Sequence, residues 1–115
     1  RVLLCVSKGG ATRDGFTIRK KGQDMELSSA SDRGVLYAAY DLLRRQQTGD
    51  LLSDGAVVTE MPSYDIRILN HWDNPDGTVE RGYAGRSIWK WDELPETVSP
   101  LYEEYARANA SVSIM

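Results

Sequence analysis

Residues Asn70 to Gly85 carry the densest chemistry in the chain. Within this run stand one imidazole (His71), one indole (Trp72), one phenol (Tyr83), the acids Asp73, Asp76 and Glu80, Arg81 and three glycines. Segments that only join elements are mostly small and polar. A run that mixes aromatics, charges and Gly after an apolar stretch is where binding is commonly grafted onto a scaffold. The pattern suits one wall of a pocket for a polar ring such as a sugar. It does not suit a metal or a nucleotide. Asp73-Asn74-Pro75-Asp76-Gly77 reads as Asx and type I turns, with Pro75 and Gly77 where such turns want them. Gly77 comes too early for a calcium loop. Gly82-Tyr83-Ala84-Gly85 lacks the strand-turn-helix setting of a phosphate cradle. His71 stands alone and reads as a hydrogen-bonded packing residue rather than a general base. Glu80 and Arg81 read as an ion pair that shapes the run. Trp89 and Trp91, on either side of Lys90, read as packing residues ahead of an exposed subsite.

The elements that must position this run follow from periodicity. Tyr64 to Leu69 is apolar and reads as a buried strand just ahead of it. Beyond it, Ser99 and Pro100 announce a helix as cap and first residue, with Leu101, Tyr102, Tyr105, Ala106 and Asn109 as its core stripe. Val112 to Met115 reads as a further strand. Strand, long loop, helix, strand is a βαβ unit, whose two strands should be parallel. Upstream, Val2 to Val6 reads as a central strand with Cys5 as a buried, inert thiol. Phe16–Lys20 and Met25–Ser29 alternate and should pair as a hairpin, with Phe16, Ile18, Met25 and Leu27 on one face. A helix capped by Ser31 or Asp32 should present Val35, Leu36, Ala39, Tyr40, Leu42 and Leu43 to that face and end at Gly49. Arg44 and Arg45 suit its last turn, where cations meet the negative end of the helix dipole. Leu51 to Pro62 reads as a linker, extended briefly at Ala56-Val57-Val58, with the domain boundary near Pro62.

Composition narrows the function classes. The chain has 115 residues, enough for one modest domain, and a formal charge of -3. That charge offers no basic field for nucleic acid. No apolar stretch is long enough to span a bilayer, and no signal peptide is visible. A single cysteine forms neither an internal disulfide nor a multi-Cys metal site. The chain opens on Arg1-Val2-Leu3-Leu4 and reads as an excerpt of a longer protein.

Arg67 to Gly85, Ser87-Ile88-Trp89-Lys90-Trp91, Glu93-Leu94-Pro95 and Tyr105 to Ser111 together resemble the bacterial and fungal α-glucuronidases of glycoside hydrolase family 67. Gly34-Val35-Leu36-Tyr37 and Leu42-Leu43-Arg44 are similar to a helix of that family's N-terminal domain, which is like the non-catalytic domain of β-hexosaminidases. At the chain end this sequence has Met115 where the pattern has Asn. The resemblance implies an incomplete α+β N-terminal domain over residues 1–62, a helix on a mixed or antiparallel sheet. Residues 63–115 would then open a TIM (β/α)8 barrel. It implies hydrolysis with inversion, releasing glucuronic acid or its 4-O-methyl ether from xylo-oligosaccharides, with no metal and no cofactor. The two carboxylates that such chemistry needs would lie outside this chain, leaving it inactive alone. The resemblance assigns Trp72 to the uronic-acid pocket, against a reading as a plug of the barrel core. Arg81 ranks second as a substrate contact, since a guanidinium matches a carboxylate bidentately. Xylan fragments are the expected partners, with room for a homodimer of the full-length protein. A non-catalytic carbohydrate-binding module and a hexosaminidase-type barrel glycosidase are the competing readings.

Overall fold

A computed structural model describes residues 1–7, 14–70 and 87–115. Its elements are β1 (Val2–Val6), β2 (Phe16–Lys21), β3 (Asp24–Ser29), α1 (Asp32–Thr48), β4 (Val57–Glu60) and α2 (Pro100–Ser111). The strands form one mixed sheet in the order β1-β3-β2-β4.

The β2–β3 hairpin is the centre of the sheet, as the alternation predicts. Gly22 turns it at a φ of 58°, a left-handed conformation that Gly adopts without a Cβ clash. The register sets Ile18 opposite Leu27 and Phe16 opposite Ser29. Phe16, Ile18, Met25 and Leu27 therefore share a face, and Ile18 and Leu27 have no exposed surface at all. Helix α1 lies across that face through Tyr37, Ala38 and Leu42.

The helix ends follow the sequence. The Ser31 hydroxyl accepts from the Gly34 N–H at 3.0 Å, and Gly49 closes the helix in the left-handed region at a φ of 77°. The buried stripe differs from the expected one. It runs through Gly34, Val35, Tyr37, Ala38, Asp41 and Leu42, while Leu36 and Leu43 stay 46% and 49% exposed. The cause is Gly34. Its missing Cβ lets the first turn rest on the Ser29 side chain and the Asp14 carbonyl. That contact rotates the 34-38-41-42 line inward.

Two further expectations fail at the sheet margins. β1 is an edge strand, parallel to β3, and every residue in it is exposed, Cys5 included. Its apolar run has the composition of a central strand. However, α1 covers the β2–β3 middle, and β3 is the only strand beside it among the described residues. The expected linker holds β4, which pairs antiparallel with β2 and sets Val58 opposite Ile18. Val57–Glu60 is thus part of the sheet layer.

Beyond β4 the described segments hold less regular structure. Residues 61–70 form neither strand nor helix, and Tyr64, Ile66, Ile68 and Leu69 are exposed. Val112 to Met115 is a turn and an irregular end, not a strand. A strand exists through its ladder. Here one backbone bond, Met115 N–H to the Arg67 carbonyl at 2.7 Å, links the two segments. The described residues therefore do not show the opening unit of a barrel. α2 begins as expected: Ser99 accepts from Leu101 N–H, with Pro100 first in the helix. Its stripe is not core, because no α2 residue is buried.

Filling the Gly34 approach should be costly. A Cβ there would strike the Ser29 side chain and come 3.1 Å from the Asp14 carbonyl oxygen. Gly34→Ala should destabilise by about 1–3 kcal/mol despite the helix propensity gained. Leu36→Ala, on the exposed side, should stay within about 1 kcal/mol. Denaturant midpoints of the two variants check the assignment of the buried face.

Candidate functional site

Trp72 and Arg81, the residues singled out for substrate, lie in 71–86, outside the described residues. So do His71, Asp73, Asp76, Glu80 and Tyr83. The described structure holds the frame on either side, and that frame centres on three charged groups that periodicity alone does not single out.

Asp14 is the first. It is buried at the end of the segment that enters β2, with a φ of 54°. Its Oδ1 accepts from the Ser31 hydroxyl at 2.6 Å, and its Oδ2 faces Arg33 at 3.3 Å and Arg67 at 3.4 Å. Asp adopts the left-handed region more readily than most residues, because its short side chain can bond locally.

Arg67 is the second, with only 15% of its side chain exposed. Its Nη1 donates to the Tyr64 carbonyl at 2.7 Å and its Nε to the Ser113 carbonyl at 2.8 Å. The guanidinium carbon lies 5.6 Å from the Tyr37 ring centroid, within cation–π range.

Asp41 is the third, buried on the inner line of α1. Arg44 Nη2 reaches it at 2.5 Å and Arg45 Nε at 2.7 Å. Burial acts to raise its pKa, but the hydrogen bonds from Arg45 and Arg44, with their charges, outweigh it and hold the carboxyl below its usual value. The same pair pushes the Arg45 pKa up. Arg44 also donates to the Ser111 carbonyl at 3.2 Å, joining α1 to the end of α2. The i,i+3 and i,i+4 spacings from Asp41 to Arg44 and Arg45 are the sequence signal for this cluster. The dipole rule masks it, because that rule alone accounts for basic residues in a last helical turn.

Between these groups lies a cleft of about 340 Å³, walled by Asp14, Asp41, Arg44, Glu60, Met61 and Arg67. Of its acids, Asp41 is poorly suited to general-acid work: a general acid needs a raised pKa, whereas its arginine partners hold Asp41 below its usual value. Among the described residues, no group of three or more His, Cys, Asp or Glu could hold a metal ion.

On the far side of 71–86, Trp89 packs on α2. Its ring lies 4.8 Å from Tyr102, tilted, and 6.0 Å from Tyr105, edge-on. The Tyr102 hydroxyl accepts from Lys90 N–H at 2.8 Å, and Ser87 Oγ accepts from Trp89 N–H. A hydrogen bond from Lys90 Nζ to Glu93 raises the Lys90 pKa. Trp89 is thus a packing residue, as expected, whereas Trp91 is 58% exposed.

The sheet with one helix laid across it, tied to the segments beyond by the Asp14–Arg67 ion pair and the Arg44–Ser111 hydrogen bond, defines a small α+β unit. The chain belongs to glycosyl hydrolase family 67: the model of that family's middle domain matches residues 45–115. A probable alpha-glucuronidase A of Aspergillus terreus is 38% identical over 103 residues, covering 88% of this chain and 12% of that protein. A probable alpha-glucuronidase A of Neosartorya fischeri is 39% identical, and alpha-glucuronidase A of Aspergillus tubingensis 37%, each over 102 residues with the same coverage. The chain therefore spans about an eighth of the length of these relatives.

The Asp41 cluster has a defined pH signature. A carboxyl whose folded pKa is depressed contributes stability that is present above its unfolded pKa, about 3.9, and is lost as pH falls through the lower folded value. Asp41→Asn should cost about 1.5–3 kcal/mol at neutral pH, the range for hydrogen bonds to charged partners. The gap between wild type and variant should narrow below about pH 4. Urea melts of both at neutral and acid pH check this. A gap that stays constant would contradict the ion-pair assignment.

Proposed function

We propose that this chain belongs to an α-glucuronidase. In that reading the full-length protein hydrolyses, with inversion, the α-1,2 bond that joins glucuronic acid or its 4-O-methyl ether to a xylo-oligosaccharide. The observation that carries the reading is the family-67 match over residues 45–115 together with 37–39% identity to proteins named alpha-glucuronidase A. Residues 1–62 are the end of the α+β N-terminal domain, and residues 63–115 open the (β/α)8 barrel. The Met115–Arg67 backbone bond supports the second assignment, because it joins the two segments that would be neighbouring barrel strands. The substrate contacts in this chain are Trp72 and, second, Arg81. An indole at the C-terminal end of a barrel strand can stack on the apolar face of a sugar ring. The carboxylates that protonate the leaving oxygen and activate water lie outside the chain.

Two outcomes test the reading. The 115-residue chain alone should release no glucuronic acid from an aldouronic acid. Specific turnover that survives purification would place the catalytic groups inside it. In the full-length enzyme, Trp72→Ala should lower kcat/KM by roughly 30- to 1000-fold, equivalent to about 2–4 kcal/mol of transition-state stabilisation. Its loss of stability should be below the roughly 3–5 kcal/mol typical of a core Trp. A normal kcat/KM beside a collapsed denaturant midpoint would make Trp72 a packing residue.

A further inference from the structure

We propose that the end of α2 is a latch, in which the Arg67 guanidinium holds Ser113 in a strained left-handed turn and so sets the direction in which the chain leaves the helix. Ser113 has a φ of 61°. For a residue with a Cβ this region is disfavoured, and it persists where the surroundings over-determine it. The turn is one that commonly closes a helix: Ser113 N–H donates to the Ala110 carbonyl at 3.0 Å and Ile114 N–H to the Asn109 carbonyl at 2.9 Å. Helices that close this way usually place Gly, or sometimes Asn, at the left-handed position. Here a serine stands there, and its backbone is gripped from outside the helix. Arg67 Nε donates to the Ser113 carbonyl at 2.8 Å, and the Arg67 carbonyl accepts from Met115 N–H at 2.7 Å. One residue thus meets the chain on both sides of Ile114.

The grip is itself seated. Arg67 Nη1 donates to the Tyr64 carbonyl at 2.7 Å, and Nη2 reaches Asp14 Oδ2 at 3.4 Å. Nitrogens of a planar guanidinium that serve different partners fix its plane. Asp14 is buried, and its other oxygen accepts from the Ser31 hydroxyl at the α1 cap. Arg33 shares Oδ2 with Arg67, and its Nη1 donates to the Met115 sulfur. Arg44, held by Asp41, donates to the Ser111 carbonyl. Residues 111, 113 and 115 are therefore each met by a different arginine. α2 brings little apolar cover to this junction: none of its residues is fully buried, and Ala110 is a partly buried one that packs on the core. An element with so few buried contacts opens at low free energy. The arginine grips then decide whether its end is closed. Lysine cannot replace the fork at position 67: it keeps the charge opposite Asp14, but an ammonium has no planar array of donors to serve Tyr64 and Ser113 together.

Hydrogen exchange of the full-length protein, read in peptides covering 109–115 and 16–29, tests the latch. Arg67→Met should speed exchange in the first on the order of tenfold and leave the second within about twofold. Ser113→Gly relieves the turn without touching the arginine. Added to Arg67→Met, it should bring exchange in 109–115 back to within about threefold of wild type, because Gly takes the left-handed turn unaided. Arg67→Lys, which keeps the charge opposite Asp14 and guards against a failure to fold, should speed exchange less than Arg67→Met and show the same rescue. Wild-type exchange in Arg67→Met would overturn the inference. So would equal acceleration of both peptides, since Arg67 would then act through the stability of the whole layer. A double variant that exchanges no more slowly than Arg67→Met would overturn it too, because the strained turn would not be what the arginine holds. None of these outcomes depends on a substrate, so the latch and the functional reading stand or fall separately.

Discussion

The start of α1 is fixed by a knot of short polar contacts, and the rest of the structure is built outward from it. Ser29 ends β3, and its hydroxyl donates to the Gly15 carbonyl at 2.6 Å and accepts from Ser31 N–H at 3.2 Å. Ser31 caps the helix and donates to Asp14. Gly34 sits on top of Ser29 with no room for a Cβ. A helix approaching this closely has little freedom to roll, so the knot selects which side chains face the sheet. Buried polar atoms are tolerable there because each finds a partner; none among the described residues is left without one. From the same carboxylate the chain reaches Arg67, so the helix cap and the entry to the second half share one anchor.

Local rules make the hairpin and both helix starts legible. Alternation in Phe16–Lys20 and Met25–Ser29 specifies strands that bury one face, and the Ser31, Ser99–Pro100 and Gly49 signals depend only on neighbouring residues. Whatever depends on distant partners is less legible. Val2 to Val6 has the composition of a central strand, but place in a sheet is decided by pairing, and β1 lies at the edge. The α1 face turns on Gly34, a residue that contributes by lacking a side chain and so leaves no trace in an apolar stripe. Val57–Glu60 resembles a linker because four residues are too few for a pattern, yet β2 recruits them.

The site is legible in a different way. Side-chain chemistry and family resemblance direct attention to residues 70–85, and the family itself is shown by the match over residues 45–115. Asp14 carries no motif, Arg67 stands only at the start of the resembling run, and Asp41 has only its helical spacing to Arg44 and Arg45. Their importance lies in contacts between residues 53 apart, as for Asp14 and Arg67, or along a helix face that only the fold turns inward. Tyr64 to Leu69 shows the converse. Its apolar run fits a barrel strand, but backbone groups form a ladder only beside another strand, and here a single bond from Met115 reaches it.

The order of strands across the sheet also sets an order in time. β2, β3 and α1 are contiguous in the chain, and their mutual contacts close short loops. β1 joins through partners 23 residues away, as in Val2 with Met25, and β4 through partners about 40 away, as in Ile18 with Val58. Loop-closure entropy grows with separation, so local contacts form first and distant ones add to a surface already in place. The hairpin and its helix are therefore the natural nucleus, with the two margins docking afterwards on opposite sides. The last to arrive are the least covered. Under mild denaturing conditions the edges should fray while the Ile18–Leu27 centre keeps its amides protected from exchange.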